Sequence, residues 1–333
     1  MKKLLAVLLV LVVASAVFAN GSKAPSTPAP AAAPAKAKGP IVVGFAQCKA
    51  DESDWRIANT KSMQASLSPE NGYKMILADS NNDAAKQVAD VQGFIDQEVD
   101  YIVIAAVNMD GWDTVLKNAK AANIPVILVD RTINASPDLY TCWVGSDFKA
   151  EGVKATDWIA KRFGSNPVGI VNLQGQLGSS AQVGRSQALQ DAVAKNSNWT
   201  LLAKQTGDWS TPESKDIMTS WIQQFGNKIS CVYAENDNMA DGAMQALKEA
   251  GIKVGGTDGV AIISFDANKA YLQMVLQGQI NVDVECNPLH GPRVKGIIDN
   301  LAKGIQPDKQ MYVDESAFYF DTITQAIVDA RQY

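Results

Sequence analysis

Glu52, Trp55 and Arg56 stand within the five residues "ESDWR", shortly after the apolar run 41–47. A carboxylate acceptor, a flat aromatic and a guanidinium with five fixed donors can hold a ligand by hydrogen bonds and ring contact. The same residue types recur after later apolar runs. Asn108 follows one in "VNMDGW", Asp130 and Arg131 in "VDRT", and Arg185 in "LQGQLGSSAQVGR". Asn236 follows in "YAENDN", Asp266 in "SFDAN" and Asn287 in "VECNP". Carboxylates accept, guanidinium groups donate and Asn amides do both, so this set can match a ring of hydroxyls without leaving buried groups unpaired. Trp55 offers the flat surface on which the C–H face of a sugar would lie. Each such hydrogen bond contributes about 0.5–1.5 kcal/mol net. About six to ten of them, after ordering costs, correspond to a roughly micromolar constant, about −8 kcal/mol.

Each residue also has a plainer reading. Asp or Asn at a strand end often caps the next helix, which suits Asp54, Asp110 or Asn238 as well as ligand contact does. Trp112 and Trp158 fall on amphipathic segments and fit core or rim positions. Arg131 and Arg185 can be surface arginines in weak exposed pairs.

The elements that would position these residues form a repeated pattern. "IVVGFAQ", "YKMILAD", "YIVIAAV" and "IPVILVD" alternate with helix-length segments at 55–67, 84–97 and 112–122. After "YTCWVGSD" a second copy begins, with helices over 150–163, 182–194, 213–225, 239–250 and 269–276. Between them lie the strands "VGIVNLQ", "WTLLAKQ", "ISCVYAE", "VAIISFD" and "INVDVEC". Strands alternating with crossover-length helices predict a parallel sheet covered on both faces, doubly wound because such crossovers are right-handed. The fold class is therefore α/β, as two similar Rossmann-like lobes. Ligands of open α/β sheets sit beyond the carboxyl ends of the strands, where the polar residues above cluster.

At the amino terminus, Lys2 and Lys3 lead into "LLAVLLVLVVASAVF", and "VFAN" offers small residues for cleavage near Ala19. The apolar run is shorter than the roughly 18–20 residues a membrane span needs, so 1–19 reads as a secretory signal peptide. Residues 20–40, rich in Pro and Ala, read as a linker. Loss of Lys2 and Lys3 with the leader takes the formal charge from −5 to −7, which argues against nucleic acid or an anionic membrane as partner. Cys48, Cys142, Cys231 and Cys286 are too dispersed for a metal site and lack any C-x-x-C, so buried thiols are expected, with one disulfide possible. No metal or cofactor is expected.

The motifs "ESDWR", "GW" at 111–112, "VDRTI", "LQGQLGSS", "VYAENDNM" and "GAMQALKEAG", in this order and spacing, resemble the type I periplasmic sugar-binding proteins of ABC importers, nearest their galactofuranose-binding branch. The resemblance spans 41–333. It implies two lobes joined by a three-segment hinge, with crossings near 145–148, 286–288 and 310–312. The lobes would be 41–147 plus 287–311 and 148–286 plus 312–333. It implies sugar contacts from Glu52, Trp55, Arg56, Asp130, Arg131, Arg185, Asn236 and Asp266, in a chain that captures a monosaccharide and delivers it to an importer permease from the periplasm. Asp54 departs from that branch, which tends to have a small residue there, so a pentose or a pyranose hexose also remains open. We expect a monomer.

Other function classes fit less well. A dinucleotide enzyme would need G-x-G-x-x-G after the first strand, and "GFAQCKADESDW" lacks it. His290, the only histidine, has no nucleophile partner in the sequence and reads as structural or solvent-facing. A glycan-acting enzyme would need two carboxyl groups straddling one bond at about 5–9.5 Å. A regulator's ligand domain is disfavoured by the leader and by the lack of a basic DNA-binding segment. A sensor presenting its closed form to a chemoreceptor or histidine kinase would use the same site as an importer component.

Overall fold

The computed structural model describes residues 39–333, so the expected leader at 1–19 and nearly all of the expected linker at 20–40 lie outside the described residues. The first half of the pattern folds as β1 (Ile41–Gln47), α1 (Asp54–Ser66), β2 (Tyr73–Asp79), α2 (Ala84–Asp96), β3 (Tyr101–Ile104), α3 (Asp113–Ala121), β4 (Val126–Val129) and β5 (Cys142–Gly145). The second half runs α4 (Phe148–Phe163), β6 (Val168–Gln174), α5 (Ser180–Lys195), β7 (Trp199–Thr206), α6 (Thr211–Phe225), β8 (Cys231–Ala234), α7 (Asp237–Glu249), β9 (Ala261–Asp266), α8 (Lys269–Leu276) and β10 (Val282–Glu285). The chain then adds α9 (His290–Leu301), β11 (Gln310–Tyr312), β12 (Ala317–Tyr319) and α10 (Gln325–Ala330).

The strands form two six-stranded sheets of matching topology, β11-β5-β4-β3-β1-β2 and β12-β10-β9-β8-β6-β7. Every pairing is parallel except β10 with β12. This is the doubly wound α/β architecture expected of the alternating pattern. Both faces of each sheet are covered, which explains why the strands read as continuous apolar runs. In the first sheet Phe45, Val103 and Ile127 pack with Val294 and Ile298 of α9, while Ile102, Ile104 and Leu128 pack with Phe94 and Leu116 of α2 and α3. In the second, Val171, Leu173 and Val232 meet Met218, Trp221 and Met244, and Ile170, Tyr233 and Ile263 meet Ala155, Ile159 and Leu189.

The chain passes between the sheets three times: from β5 to α4, from β10 to α9, and from β11 to β12. The third passage falls at 313–316, after β11 rather than within 310–312, because β11 pairs with β5 through Tyr312. Sequence reading also missed α9, whose residues Val294, Ile297 and Ile298 had helical spacing, and the two three-residue strands, which are too short to alternate. All four cysteines are buried and free. Among the described residues, no helix is long and apolar enough to cross a membrane.

Candidate ligand-binding cleft

The carboxyl ends of both sheets face one another, and the site grows from how each chain segment leaves its strand. After β1, Ser53 takes an extended conformation and its Oγ accepts the Arg56 N–H at 3.2 Å, so α1 starts there. Ser53, not Asp54, is therefore the cap. Trp55 and Arg56 fall on the first turn and are buried. Arg56 donates from Nε to Glu52 Oε1 at 3.1 Å and from Nη2 to Asp130 Oδ2 at 2.7 Å, while Arg131 Nη2 donates to the same Glu52 oxygen at 2.6 Å. Burial drives the Glu52 carboxyl upward, but the Arg131 and Arg56 guanidinium groups outweigh it and hold the group below its usual range.

The second lobe answers with a related arrangement. Asp266 ends β9 as Asp130 follows β4, and both have left-handed backbones, φ +106° and +64°. Such φ values are uncommon outside glycine, and Asp tolerates them better than most residues. Arg185 on α5 donates from Nε to Glu151 Oε2 at 2.7 Å, and its Nη2 lies 3.5 Å from Asp266 Oδ1. Its guanidinium lies 4.8 Å from the Phe265 ring centroid and 5.5 Å from that of Phe148. Burial pushes Glu151 up to about 7 against the pull of Arg185, and pushes Asp266 well above its ordinary value. Asn236 caps α7 by accepting the Met239 N–H at 2.9 Å, so the capping role expected for Asn238 belongs to it. Asp110 caps no helix; it accepts from Asn134 Nδ2 at 2.9 Å.

Eight of the ten candidate residues surround a single cavity of about 290 Å³: Glu52, Trp55, Arg56, Asp130, Arg131, Arg185, Asn236 and Asp266. Arg131 and Arg185 are 3% and 2% exposed, which rules out the surface-arginine reading. Asn108 and Asn287 do not line the cavity. Asn108 precedes Met109, whose N–H donates to the Gly178 carbonyl at 3.3 Å, and Asn287 faces a surface groove beside Arg331 and Tyr333. Trp112 is core, and Trp158 packs partly buried beside the second sheet.

Five wall residues were not foreseen: Ser53, Phe148, Ala181, Trp209 and Cys286. Trp209 follows β7, the one strand expected in the second lobe for which no strand-end residue was named. Phe148 and Cys286 stand at the first two passages between the sheets, and Cys286 also supplies the carbonyl that accepts Trp55 Nε1–H at 2.6 Å.

The formal charges of the lining acids and arginines cancel. Glu52 Oε2, Arg56 Nη1 and Trp209 Nε1 are buried without a hydrogen-bond partner. A buried polar group left unpaired costs about 1–3 kcal/mol, so these atoms favour a ligand that presents donors and acceptors. Neither Glu52 nor Cys286 is an activated nucleophile, since Glu52 is held by two arginines and burial pushes the Cys286 thiol well above its ordinary value. His290 is fully buried and its ring is pushed down to about 3 by burial, which makes it structural and excludes the solvent-facing reading. Glu151, Cys286 and Glu315 have donor atoms within 4.8 Å of one another, but Glu151 is paired with Arg185, and Glu315 accepts from Ser146 Oγ at 2.7 Å and Asn287 N–H at 2.6 Å. Those bonds fit a hydrogen-bonded cluster at the passages better than a cation site.

The lobes meet around the cavity. Arg131 Nη1 donates to Gln176 Oε1 at 3.2 Å, and the Thr132 N–H donates to Ser180 Oγ at 2.9 Å. The structure is thus a closed form.

Comparison with known proteins agrees with this geometry. Residues 43–289 match the family model described as periplasmic binding protein domain. The galactofuranose-binding protein YtfQ of Escherichia coli K12 is 34% identical over 292 residues, covering 86% of this chain and 91% of that protein. A Mycobacterium smegmatis protein solved with β-D-fucofuranose is 35% identical with a TM-score of 0.80, covering 87% of this chain and 93% of that one. The binding protein of the arabinose ABC transporter of Shewanella sp. ANA-3, solved with α- and β-L-arabinofuranose, is 33% identical with a TM-score of 0.81, covering 87% and 95%. The chain belongs to the periplasmic binding protein domain family and is a solute-binding protein rather than an enzyme.

Proposed function

We propose that the chain captures one monosaccharide between its two lobes and delivers it to the permease of an ABC importer. The carrying observation is the cleft between the lobes, which holds about 290 Å³ of empty space and is lined by three acids, three arginines and unpaired donors and acceptors. That empty space, an upper bound because part of it opens to solvent, leaves room for one sugar ring rather than an oligosaccharide. Glu52, Arg56, Asp130, Arg131, Arg185, Asn236 and Asp266 would bind hydroxyls, with Trp55, Trp209 and Phe148 against apolar faces. The furanose ligands named for the relatives support a five-membered ring, from a galactofuranose-like hexose or a pentose.

The lobes we assign are 41–147 with 287–312, and 148–286 with 313–333, moving as rigid bodies about the three passages. Sugar would bind an open form and select closure through its contacts with the second lobe. The leader expected at 1–19 and the family support a periplasmic location, and the chain would work as a monomer.

The test is calorimetry on sugar-stripped protein with D-galactose, L-arabinose, D-ribose and D-fructose. At least one should bind with a roughly micromolar constant. Trp55→Ala and Arg185→Lys should each weaken it about tenfold or more, the second by losing the guanidinium fork. Failure of every sugar to bind, or both variants staying within twofold of the parent, would sink the assignment.

A further inference from the structure

Asp54 joins the lobes without touching the cavity. It is exposed, on the first turn of α1, and absent from the cavity wall. Its backbone N–H donates to Asn238 Oδ1 at 3.2 Å. Asn238 Nδ2 returns a bond to Asp54 Oδ2 at 3.2 Å, and the Tyr271 hydroxyl donates to the same oxygen at 3.3 Å. Asn238 lies on α7 and Tyr271 on α8, both in the second lobe, whereas α1 belongs to the first.

The partners are held in place independently of Asp54. The Asn238 carbonyl accepts from Thr211 Oγ1 at 2.9 Å, and Tyr271 is buried in the second lobe's core. Asp54 itself is fixed by the helix that Ser53 starts. The first N–H groups of a helix have no partner inside it, and Asn238 Oδ1 satisfies one of those of α1 from across the cleft. A carboxylate at a helix start is also favoured by the helix dipole, a position that suits Asp54 Oδ2 as the acceptor of the Tyr271 hydroxyl.

We propose that Asp54, Asn238 and Tyr271 form a latch that holds the lobes shut and sets how long a bound sugar stays, without contacting the sugar. The proposal rests on the binding-protein reading above. Opening separates α1 from α7 and α8 and returns these groups to water, so the three bonds stabilise the closed form alone. Their effect falls on dissociation, because encounter with the open form precedes them. Exposed polar bonds of this kind correspond to a change of about three- to tenfold.

The experiment measures stopped-flow association and dissociation of D-galactose, L-arabinose, D-ribose and D-fructose for the parent, Asp54→Ala, Asp54→Asn, Tyr271→Phe and the Asp54→Ala/Tyr271→Phe double variant. For each sugar that the parent binds, Asp54→Ala should dissociate about three- to tenfold faster with association within twofold. Asp54→Asn, which keeps the backbone bond and an acceptor oxygen, should recover most of the loss. Tyr271→Phe should add little to Asp54→Ala, since Asp54→Ala already removes the bond that the Tyr271 hydroxyl makes. Unchanged dissociation in Asp54→Ala, or a lower melting temperature of the sugar-free variant as the sole effect, would overturn the latch. If the parent binds none of the sugars, the binding reading fails separately and solution scattering of sugar-free protein decides the latch. Asp54→Ala should then have the larger radius of gyration, and equal radii overturn the proposal.

Discussion

At the residue scale, the cavity depends on an aromatic that reaches it through strained backbone. Asp208 and Trp209 have φ of +51° and +65°, conformations that L side chains adopt at some cost. The turn brings the indole over the Arg131 guanidinium, 5.6 Å from its ring centroid, and leaves Nε1 buried without a partner. Room for the ring comes from Gly175, since a Cβ there would lie 1.9 Å from Trp209. Gly175→Ala should therefore push the indole off the wall, at an overpacking cost of about 1–3 kcal/mol. The expected outcome is weaker binding of D-galactose or L-arabinose by calorimetry, about tenfold. Trp209→Phe, which keeps an aromatic face and loses the N–H, should weaken binding less, about fivefold for one lost hydrogen bond. Parent-like affinity in Gly175→Ala would show that Trp209 is not a binding group.

At the element scale, α1 carries Trp55 and Arg56, and α9 is the helix that seats it. The two meet at a glycine: a Cβ on Gly291 would lie 2.0 Å from the Ser62 carbonyl oxygen. Gly291→Ala must part the helices, which should lower the urea midpoint by an amount matching about 1–3 kcal/mol. An unchanged midpoint would show that the contact is easily relieved. This pairing also marks the limit of sequence reading. β1, β2, β6 and α8 have the bounds their apolar patterns implied; β1 and β6 lie inside their sheets, where burial on both faces leaves uninterrupted hydrophobic runs, whereas β2 is a mostly half-buried edge strand. Eight cavity residues were legible for a related reason: in this topology strand ends converge, so polar groups placed there meet. Trp209 also follows a strand, but its place on the wall depends on a positive-φ turn and on Gly175. Asn108 and Asn287 obeyed the strand-end rule and still missed the cavity, since the rule gives no direction to a side chain. α9 was hidden by "NPLHGP" ahead of its helical spacing, and its partner surface on α1 is distant in the chain.

At the scale of the whole molecule, buried ionisable groups make stability depend on pH with a sign fixed by their environments. Burial pushes Glu151 and Glu235 up to about 7 and Glu315 and Asp283 up to about 8. Each binds its proton more tightly folded than unfolded, so its contribution is complete below about 4.5 for Glu or 3.8 for Asp and is lost as pH rises through 7–8. Three buried or half-buried groups act oppositely: His290, Glu52, and Glu285, which Arg331 holds below its ordinary value against the effect of burial. Burial lowers His290 from 6.5 to about 3, so its contribution is full above 6.5 and lost as pH falls toward 3. Glu52 is held below 4.5 by its arginines, and its contribution disappears as pH falls below that value. These carboxyls, together with Asp237 and Asp266, which burial also pushes well above their ordinary values, outnumber one histidine between pH 8 and 5, and the order reverses below that. Calorimetric melting of sugar-free protein should therefore give a melting temperature that rises from pH 8 to about 5 and falls by pH 3.5; a maximum at pH 7–8 would contradict this assignment. Glu315 isolates one contributor. Its Oε1 accepts from Ser146 on the first passage and from Asn287 N–H on the second, while the residue itself lies on the third. Glu315→Gln keeps that acceptor oxygen and cannot ionise. It should melt higher than the parent at pH 8, match it at pH 5, and so flatten the alkaline limb; an equal offset at both pH values would mean that the Glu315 carboxyl does not titrate in this range.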